Sequence, residues 1–415
     1  MLWLFPEPYP DESFHGVMTR YHLRTKSPRE ATTFSDIFGN PRKTPPSFPW
    51  RLADLATRLP PGVMVTTADL IQGHTLYPYF AYALPPERAS RLYDALVSTR
   101  VQASYAHVIT GVQAAAVPWA ETVQVCVECL EADRQVWGEP FYHRAHQLPA
   151  VLLCHRHGSR LVSTPIPLRT VRGGKTLVPA AHLTGLGGRG QTKAAAPDAG
   201  RFLLALAKDS AWVLSCPVAP GDAVLRRAYV GLLVARGLCD DRGATDTESL
   251  RRWVESRAER SALAAVGCAL DGTKVPWYLA IMRPSSPQRQ PLIRHLAFLR
   301  LLGTSVQDVH PNLAALSSQP LAERPPRGIA AEALARWRLE HHEADDARVR
   351  GLVQDVVQHL RSQGRSVTLT SLRRALGRDA WRLGNLPQHP LTEELLVEQG
   401  LVGMVGGVSG ENSHG

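Results

Sequence analysis

The stretches Cys126-Val-Glu-Cys129 and Cys154-His-Arg-His157 decide how this sequence is interpreted. Each pair places two metal-binding side chains three positions apart, so that one tight turn can direct both at a single ion. Three thiolates and one imidazole form the ligand set of a closed, tetrahedral zinc site. Because protein fills all four positions, we expect one structural Zn²⁺ ion whose binding contributes to folding.

Unlinked thiols are the competing interpretation of the same residues. The chain contains six cysteines, and three of them lie in the two pairs. His155 also competes with His157, but it adjoins Cys154, and adjacent residues do not converge easily on one ion. His143 and His146 lie between the pairs and are alternative ligands, although we expect them to make polar contacts near the loop. The other cysteines are scattered without partners: Cys216, Cys239 and Cys268.

The composition indicates a chain of two or three domains with an anionic partner. In 415 residues, 47 lysines and arginines outweigh 37 acidic residues and give a net charge of +10. Nucleic acid is the first candidate partner, although a GC-rich genome also produces arginine-rich proteins. No apolar run is long enough to span a membrane, and the first residues lack the pattern of a signal peptide. We therefore expect an intracellular, soluble protein with reduced thiols and no membrane partner.

Short helical segments dominate, and we predict a mainly α, multi-domain fold. Helix-turn-helix-like helical domains accompany a small Cys3His zinc-binding module in this prediction, although other small helical domains share the pattern. The predicted divisions are an N-terminal helical domain (1–118), the zinc module (119–165), a linker or loop (166–200), a helical domain (201–315), a linker (316–330), a basic helix-turn-helix-like module (331–402) and a disordered tail (403–415).

Periodicity and capping residues predict individual helices. Phe14, Val17, Met18 and Tyr21 have the spacing of a buried helix face. Arg20 and His22 fall off that face, so we expect them to face solvent, with nucleic-acid contact as the alternative. Further predictions are a helix start at Pro10 or Asp11, a helix over Thr33–Phe38, a cap at Thr66 or Thr67, one helix over 87–117 with a break near Gly111, one helix over Asp246–Ala265, and a cap at Thr370 for Ser371–Leu376.

Arginines cluster in the predicted C-terminal module, where two helices meet across a short turn. Phosphate contacts would use that density of positive charge, and a solvated arginine-rich surface explains any single arginine about as well. Our predicted DNA-binding residues are Arg373, Arg374, Arg378 and Arg382, together with Arg144 between the ligand pairs.

Several stretches resemble the TnsD/TniQ family, the target selectors of site-specific transposons. The most specific is the metal-ligand block with Tyr142-His-Arg-Ala-His-Gln-Leu-Pro149 at its centre. The family usually has Tyr-Trp where this chain has Phe141-Tyr142, and often has glycine at the position of Ala150; both changes are conservative. The other matching stretches are Phe5-Pro-Glu-Pro-Tyr-Pro-Asp-Glu-Ser13, Arg20-Tyr-His22, Ile71-Gln-Gly-His-Thr-Leu-Tyr-Pro-Tyr79 and Leu292-Ile-Arg-His-Leu-Ala-Phe-Leu299 with Leu302-Gly303.

This resemblance, which covers about residues 1–390, implies a non-catalytic protein of the bacterial cytoplasm and nucleoid that chooses where a transposon inserts. It would bind double-stranded target DNA and recruit a TnsC-like AAA+ ATPase of a TnsABC-type transposon. Alternatively, it would link a CRISPR RNA-guided Cascade complex to that machinery. The resemblance implies that the extreme N-terminus contacts the ATPase, through Trp3, Phe5, Pro6 and Tyr9; their alternative role is to hold the N-terminus on the first domain.

Two other classes of function compete with this one. A zinc nuclease or hydrolase would need an open metal position, whereas three thiolates and an imidazole close it, and the nearby carboxylates do not form a two-metal cluster. A pure protein scaffold would lack the steep salt dependence of phosphate contacts. The carboxylates in question are Glu128, Glu131 and Asp133.

Overall fold

The computed structural model of the chain falls into two compact units, residues 1–320 and 321–415. Each unit is considered by itself below. The described residues are 2–98, 103–112, 114–169, 175–183, 197–216, 219–239, 245–270, 276–282, 290–317, 350–351, 353–364, 366–376, 390–399 and 401.

Helices make up most of the first unit. Seven precede the metal-ligand pairs: α1 Phe14–Arg24, α2 Glu30–Phe38, α3 Leu52–Ala56, α4 Thr67–His74, α5 Tyr77–Ala81, α6 Pro86–Val97 and α7 Ala103–Thr110. Eight more follow from the first pair onward: α8 Val127–Trp137, α9 Pro197–Ser215, α10 Gly221–Val234, α11 Thr247–Arg257, α12 Arg260–Ala265, α13 Trp277–Met282, α14 Leu292–Leu301 and α15 Val306–Ser317.

The predicted buried face of α1 is confirmed, because Phe14, Val17, Met18 and Tyr21 are all buried. The predicted start at Pro10 or Asp11 is wrong by several residues. Ser13 caps the helix instead, with its side chain accepting a hydrogen bond from the Gly16 amide at 3.1 Å.

Capping residues determine one end of each of two other helices in the N-terminal part. Helix α2 ends at Gly39, whose backbone has the left-handed φ of 65° that glycine adopts without strain. Helix α4 begins after Thr66, and the Thr66 and Asp69 side chains each bond the other's backbone amide in a capping box. The structure thus selects Thr66 over Thr67 as the cap.

Two predicted long helices are each divided. Residues 87–117 form α6 and α7 rather than one helix, since Ser98 leaves the helical conformation. The predicted helix Asp246–Ala265 is divided into α11 and α12 at Ala258, which is extended. In both cases the apolar periodicity continues across the division, so sequence pattern alone does not locate it.

A two-stranded antiparallel sheet, which we did not predict, encloses the metal-ligand pairs. Strand β1 (Thr122–Val125) pairs with β2 (Val162–Pro167), and Val125 lies opposite Val162. Strand β1 has only four residues, and β2 contains Pro165 and Pro167, which argue against a strand in the sequence. Their pairing brings the chain just before Cys126 next to the chain just after His157.

One hydrophobic core extends through the first unit, across the predicted boundaries near residues 118 and 165. The segment predicted as a linker over 166–200 contributes to it, because Leu177 and Ala180 are buried. Helix α9 also begins within that segment, at Pro197. The predicted domain divisions remain predictions, and a shared core means that the zinc module is packed against its neighbours.

The second unit has a small core of its own, formed by Val353, Val357, Leu360, Leu372, Leu395 and Leu396. Its helices include residues 353–362, Leu369–Leu376 and Pro390–Glu398. Thr368 accepts a hydrogen bond from the Ser371 amide at 3.1 Å, so it provides the cap that we had assigned to Thr370. Residues 318–330 of the predicted linker and the tail 403–415 lie outside the described residues.

The predicted mainly α fold is confirmed for the part of the chain that the structure describes, in which β1 and β2 form a single sheet. Within the same residues, none of the helices combines the length and apolar character needed to cross a membrane.

Candidate metal centre

The first ligand pair lies where β1 passes into α8. Cys126 is extended and is the N-cap residue of α8, and Cys129 lies in the first turn of that helix. A residue at the cap and another three positions later project on the same side of a helix start. The strand-to-helix transition therefore brings both buried thiols to one point.

The second pair lies on a tight turn that leads into β2. The Cys154 amide donates to the Ser159 carbonyl, and the Gly158 amide donates to the Cys154 carbonyl, both at 2.8 Å. Gly158 has a φ of 72°, which closes the turn. Cys154 and His157 consequently lie on one face of the turn, toward the first pair.

The four predicted ligands converge in a single cluster, with their donor atoms all within 4.8 Å of one another. His157 Nδ1 lies 3.4 Å from the Cys126 sulfur, 3.3 Å from that of Cys129 and 3.6 Å from that of Cys154. The Cys129 and Cys154 sulfurs are 3.6 Å apart.

These distances suit a tetrahedral metal ion. Zinc–sulfur bonds of about 2.3 Å and zinc–nitrogen bonds of about 2.0–2.1 Å place neighbouring ligand atoms about 3.5–3.8 Å apart. The spacings within the cluster fall at or slightly below that range. The cluster can therefore hold a metal ion with ligands from two separate segments.

Polar groups surround the sulfur ligands. The Ser159 hydroxyl lies 3.3 Å from the Cys126 sulfur and also donates to the Glu128 carboxylate. Hydrogen bonds among the thiols lower the pKa of Cys126 and raise that of Cys129. The cluster therefore favours one thiolate, at Cys126. A bound cation would extend this effect to the remaining thiols, since metal ligation requires thiolates.

The competing histidines occupy different positions. His155 and His146 form a second possible group with Cys154, and His146 Nε2 lies 3.9 Å from the Cys129 sulfur. Burial lowers the pKa of His146 to about 3, which keeps its imidazole neutral. His157 lies near all three sulfurs, whereas His146 and His155 group with Cys154, so the geometry favours His157.

His143 is held by carboxylates. Its Nε2 lies 3.0 Å from Asp133 and its Nδ1 lies 3.4 Å from Asp11. Burial opposes a charged imidazole, but the two carboxylates together raise the pKa of His143. This buried histidine thereby links α8 to the segment before α1.

Arg144, predicted as a DNA contact, is buried inside the first unit. Its guanidinium donates to the Asp11 carboxylate at 3.1 Å. Its remaining bonds go to the carbonyls of Gln72, Thr75 and Leu214. In this arrangement Arg144 joins its own segment to three others, and its role as a DNA contact stays a prediction.

The predicted ATPase contacts divide between exposed and packed residues. Trp3 is 73% exposed, although Leu2 before it is buried. Pro6 is buried and Phe5 packs against the core. Tyr9 lies against Trp137 and Phe141, with centroid distances of 4.9 and 5.1 Å, and its hydroxyl donates to Glu139. Of the four, only Trp3 projects fully into solvent.

Sequence reasoning misplaced Arg20, which is buried and not exposed to solvent. It pairs with Glu12 at 2.6 Å and with Glu139 at 2.9 Å, and its guanidinium covers the Tyr9 ring at 3.7 Å. Burial, outweighing Arg20, raises the pKa of Glu12 to about 7. The Arg20–Glu139 partners lie far apart in sequence, so no local pattern signals them.

The structure describes the arginines predicted in the C-terminal module only in part. Arg373 and Arg374 belong to the helix Leu369–Leu376, but their side chains lie outside the described residues. Arg378 and Arg382 lie outside them altogether. The role of these four arginines stays a prediction.

Comparison with known proteins places the metal centre inside a recognised domain. Residues 3–161 match the model of the TniQ family, a range that contains all four ligands. The transposition protein TnsD of transposon Tn7 from Escherichia coli is 28% identical to this chain over 158 residues. That match covers 37% of this chain and 30% of the relative, so the chain spans less than a third of the length of TnsD.

These two matches confirm the resemblance to the TnsD/TniQ family, and both rest on the N-terminal region.

One departure from the family pattern, at Ala150, affects the backbone. Ala150 has a φ of 60°, a left-handed conformation that glycine adopts without cost, whereas alanine adopts it at a cost of about 1 kcal/mol. Glycine is often found at this position in the family, and the alanine is therefore a strained replacement.

We predict that Asp11→Asn destabilises the first unit in a pH-dependent way. Burial opposes ionisation, but His143 and Arg144 lower the pKa of Asp11 from 3.8 to about 2. The ionised carboxylate therefore contributes about 2 kcal/mol above pH 4, which is lost as the pH falls toward 2. Asparagine tolerates the φ of 61° at this position, so the substitution leaves the backbone unstrained.

Urea unfolding of both proteins at several pH values between 7 and 3 measures this effect. The stability difference should narrow as the pH falls, and a constant difference would contradict the assignment. Asp198→Asn is the control, because Asp198 pairs with Arg201 on the exposed surface of α9 and should change stability by less than about 1 kcal/mol.

Proposed function

We propose that this protein is the target-site selector of a TnsABC-type site-specific transposon. It binds double-stranded target DNA and recruits a TnsC-like AAA+ ATPase, and it performs no catalysis itself. The observation that carries this proposal is the match of residues 3–161 to TniQ, in a region where the metal cluster and the N-terminal segment pack together. The relative's name, a transposition protein, supports the same class of function.

The metal centre supports a structural role rather than an enzymatic one. Three sulfurs and one imidazole surround one point, and this donor set suits Zn²⁺ in a closed site. Cys126, Cys129 and Cys154 also belong to the main hydrophobic core. We propose one Zn²⁺ ion that joins the β1–α8 transition to the turn before β2, with no coordination position left for a substrate.

A DNA partner is supported by the charge of the chain and by its class. The net charge of +10 attracts a polyanion over long distances and raises its local concentration. Phosphate contacts would supply affinity, and base contacts or a second complex would supply the choice of site. The proposal retains Arg373, Arg374, Arg378 and Arg382 as DNA contacts and assigns Arg144 to the interior of the fold.

The proposed zinc site predicts that Cys126→Ala loses both the metal and local stability. Zinc content, measured on purified protein, should fall from one ion per chain toward zero, because three remaining ligands hold the ion weakly. Limited proteolysis should then cleave within residues 119–165, which stay protected in the parent protein. Cys239→Ala is the matched control, since Cys239 is a buried cysteine outside the cluster and should retain the zinc.

A metal-loaded Cys126→Ala protein with intact protection would contradict the structural role. Folded protein that keeps the metal but loses a hydrolytic activity would instead support a zinc enzyme, the competing class.

We expect the zinc-loaded protein to bind DNA fragments that flank its own transposon's insertion site. Binding that resists scrambled competitor DNA would support a selector that reads the target directly. Weak binding to every fragment, lost as salt increases, would favour the alternative function, an adaptor that docks on a CRISPR RNA-guided complex. Absence of any binding to DNA, with capture of the ATPase retained, would favour a pure protein scaffold.

Trp3→Ala should weaken recruitment of the TnsC-like ATPase, because Trp3 is the one fully exposed aromatic side chain among the proposed contacts. Truncating a buried interface tryptophan costs about 2 kcal/mol or more, which lowers affinity at least about 30-fold. Pull-down of the ATPase by the parent and variant proteins measures this loss. Met64→Ala is the control, since Met64 is an exposed hydrophobic side chain, 88% exposed, outside the N-terminal segment.

A further inference from the structure

A basic cleft of about 660 Å³ opens beside the end of α1, the start of α2 and residues 175–182. Among the residues that the structure describes, Glu30 is the only acidic one in its lining. Six lining side chains carry or can carry positive charge: His22, Lys26, Arg29, Lys43, Lys175 and His182.

The carboxylate of Glu30 already forms an ion pair and hydrogen bonds within the protein. Glu30 pairs with Lys43 at 2.7 Å and accepts hydrogen bonds from the amides of Thr176 and Leu177. Burial opposes its ionisation, but Lys43 and these two amides lower the pKa of Glu30, so it stays charged and bound to them. Among the described residues, no carboxylate pairs with Lys26, Arg29 or Lys175, which leaves three cations at the rim.

Lys26 has a backbone conformation that lysine rarely adopts. Its φ is 50°, in the left-handed region that favours glycine or asparagine, and its amide donates to the Leu23 carbonyl in the turn after α1. The Lys26 side chain is exposed and gains no ion pair within the described residues. A cation just past the end of α1 is favourable to the helix dipole, but the left-handed backbone at this position is one that lysine adopts only at a cost.

Arg29 is similarly unsuited to its local structure. It is the N-cap residue of α2, where serine, threonine, aspartate or asparagine would accept a hydrogen bond from the helix, and its side chain makes no such bond. A positive charge at the positive end of the helix dipole is also unfavourable. Lys26 by its backbone conformation and Arg29 by its charge and missing cap thus conflict with local stability, and such conflicts are typical of functional sites.

We propose that this basic cleft binds the phosphodiester backbone of double-stranded DNA, with Lys26, Arg29 and Lys175 contacting phosphates. This inference rests on the proposed function and names a second DNA contact, in the first unit of the chain. The contacts are independent of sequence, because they involve phosphate oxygens and not base edges. They position the selector on its target while other residues choose the site.

The position of the three cations favours a polyanion over a small anion. Lys26, Arg29 and Lys175 are exposed and come from two separate segments, the connection between α1 and α2 and the stretch 175–182, around an open cleft. Neutralising several phosphates of one duplex releases several counterions, and this release provides the affinity of such surfaces. A duplex that passes over the rim can meet all three cations together.

The experiment compares two double variants that each remove two positive charges. Lys26→Gly with Arg29→Ser changes the cleft, and Lys208→Ala with Arg252→Ala changes exposed positions on α9 and α11. The affinity of each for a DNA duplex flanking the insertion site is measured at several salt concentrations. Urea unfolding is measured on the same preparations.

We expect the slope of log affinity against log salt to fall by about 1.8 for the cleft variant, since each lost phosphate contact removes about 0.9. The control variant should keep the parent slope. The unfolding midpoint of the cleft variant should equal or exceed that of the parent, because glycine relieves the left-handed backbone and serine can cap α2. Lys175→Ala, outside both helices, should lower the slope by about 0.9.

A parent protein with a steep salt slope and a cleft variant with the same slope would overturn this inference while leaving the proposed function intact. A parent protein that shows no salt-dependent binding to DNA would overturn both. Equal losses in the cleft and control variants would also overturn the inference, since they would reflect net charge alone.

Discussion

The buried guanidinium of Arg144 is the interaction on which the first unit depends. It binds Asp11 and the backbone carbonyls of Gln72, Thr75 and Leu214, so one side chain connects its own segment to three distant ones. Removing one partner of a buried ion pair leaves the other charge without compensation, which costs several kcal/mol. Arg144 lies in the segment between the two metal-ligand pairs. Because it also binds Asp11, it connects that segment directly to the N-terminal residues before α1. The adjacent His143, held between Asp11 and Asp133, strengthens the same connection.

This connection explains why the metal centre differs from an isolated zinc finger. A small finger folds around its ion because it has little other core. Here the three cysteines are buried in a hydrophobic core that also includes α1 and α14. Loss of the metal would therefore affect the orientation of α8, and through Asp133 and His143 it would reach the residues before α1.

The metal cluster and the buried face of α1 could be predicted because residue spacing within short stretches of sequence is enough to identify them. Two ligand pairs with fixed internal spacing, or four apolar residues at helical spacing, need no knowledge of the rest of the chain. The role of Arg144 could not, because its carboxylate partner Asp11 lies more than 100 residues away, and that of Arg20 depends on distant Glu139 as well as on Glu12. Strands β1 and β2 were missed because β1 is short and because the two prolines of β2 argue against a strand, although its side chains alternate between buried and exposed. The division of residues 87–117 into two helices was missed because both halves share one apolar periodicity.

Packed residues lie on both sides of the exposed Trp3 in the N-terminal segment, and they determine how its side chain is presented. Leu2 is buried and its amide donates to the Arg58 carbonyl at 2.6 Å, while Leu4 packs against the core on the other side. The backbone on either side of the indole is therefore fixed before any partner arrives. A partner that covers Trp3 would not have to order a free chain end, and the conformational entropy that such ordering normally costs has already been lost on folding. An exposed tryptophan on an ordered segment is, in this respect, a pre-organised ligand.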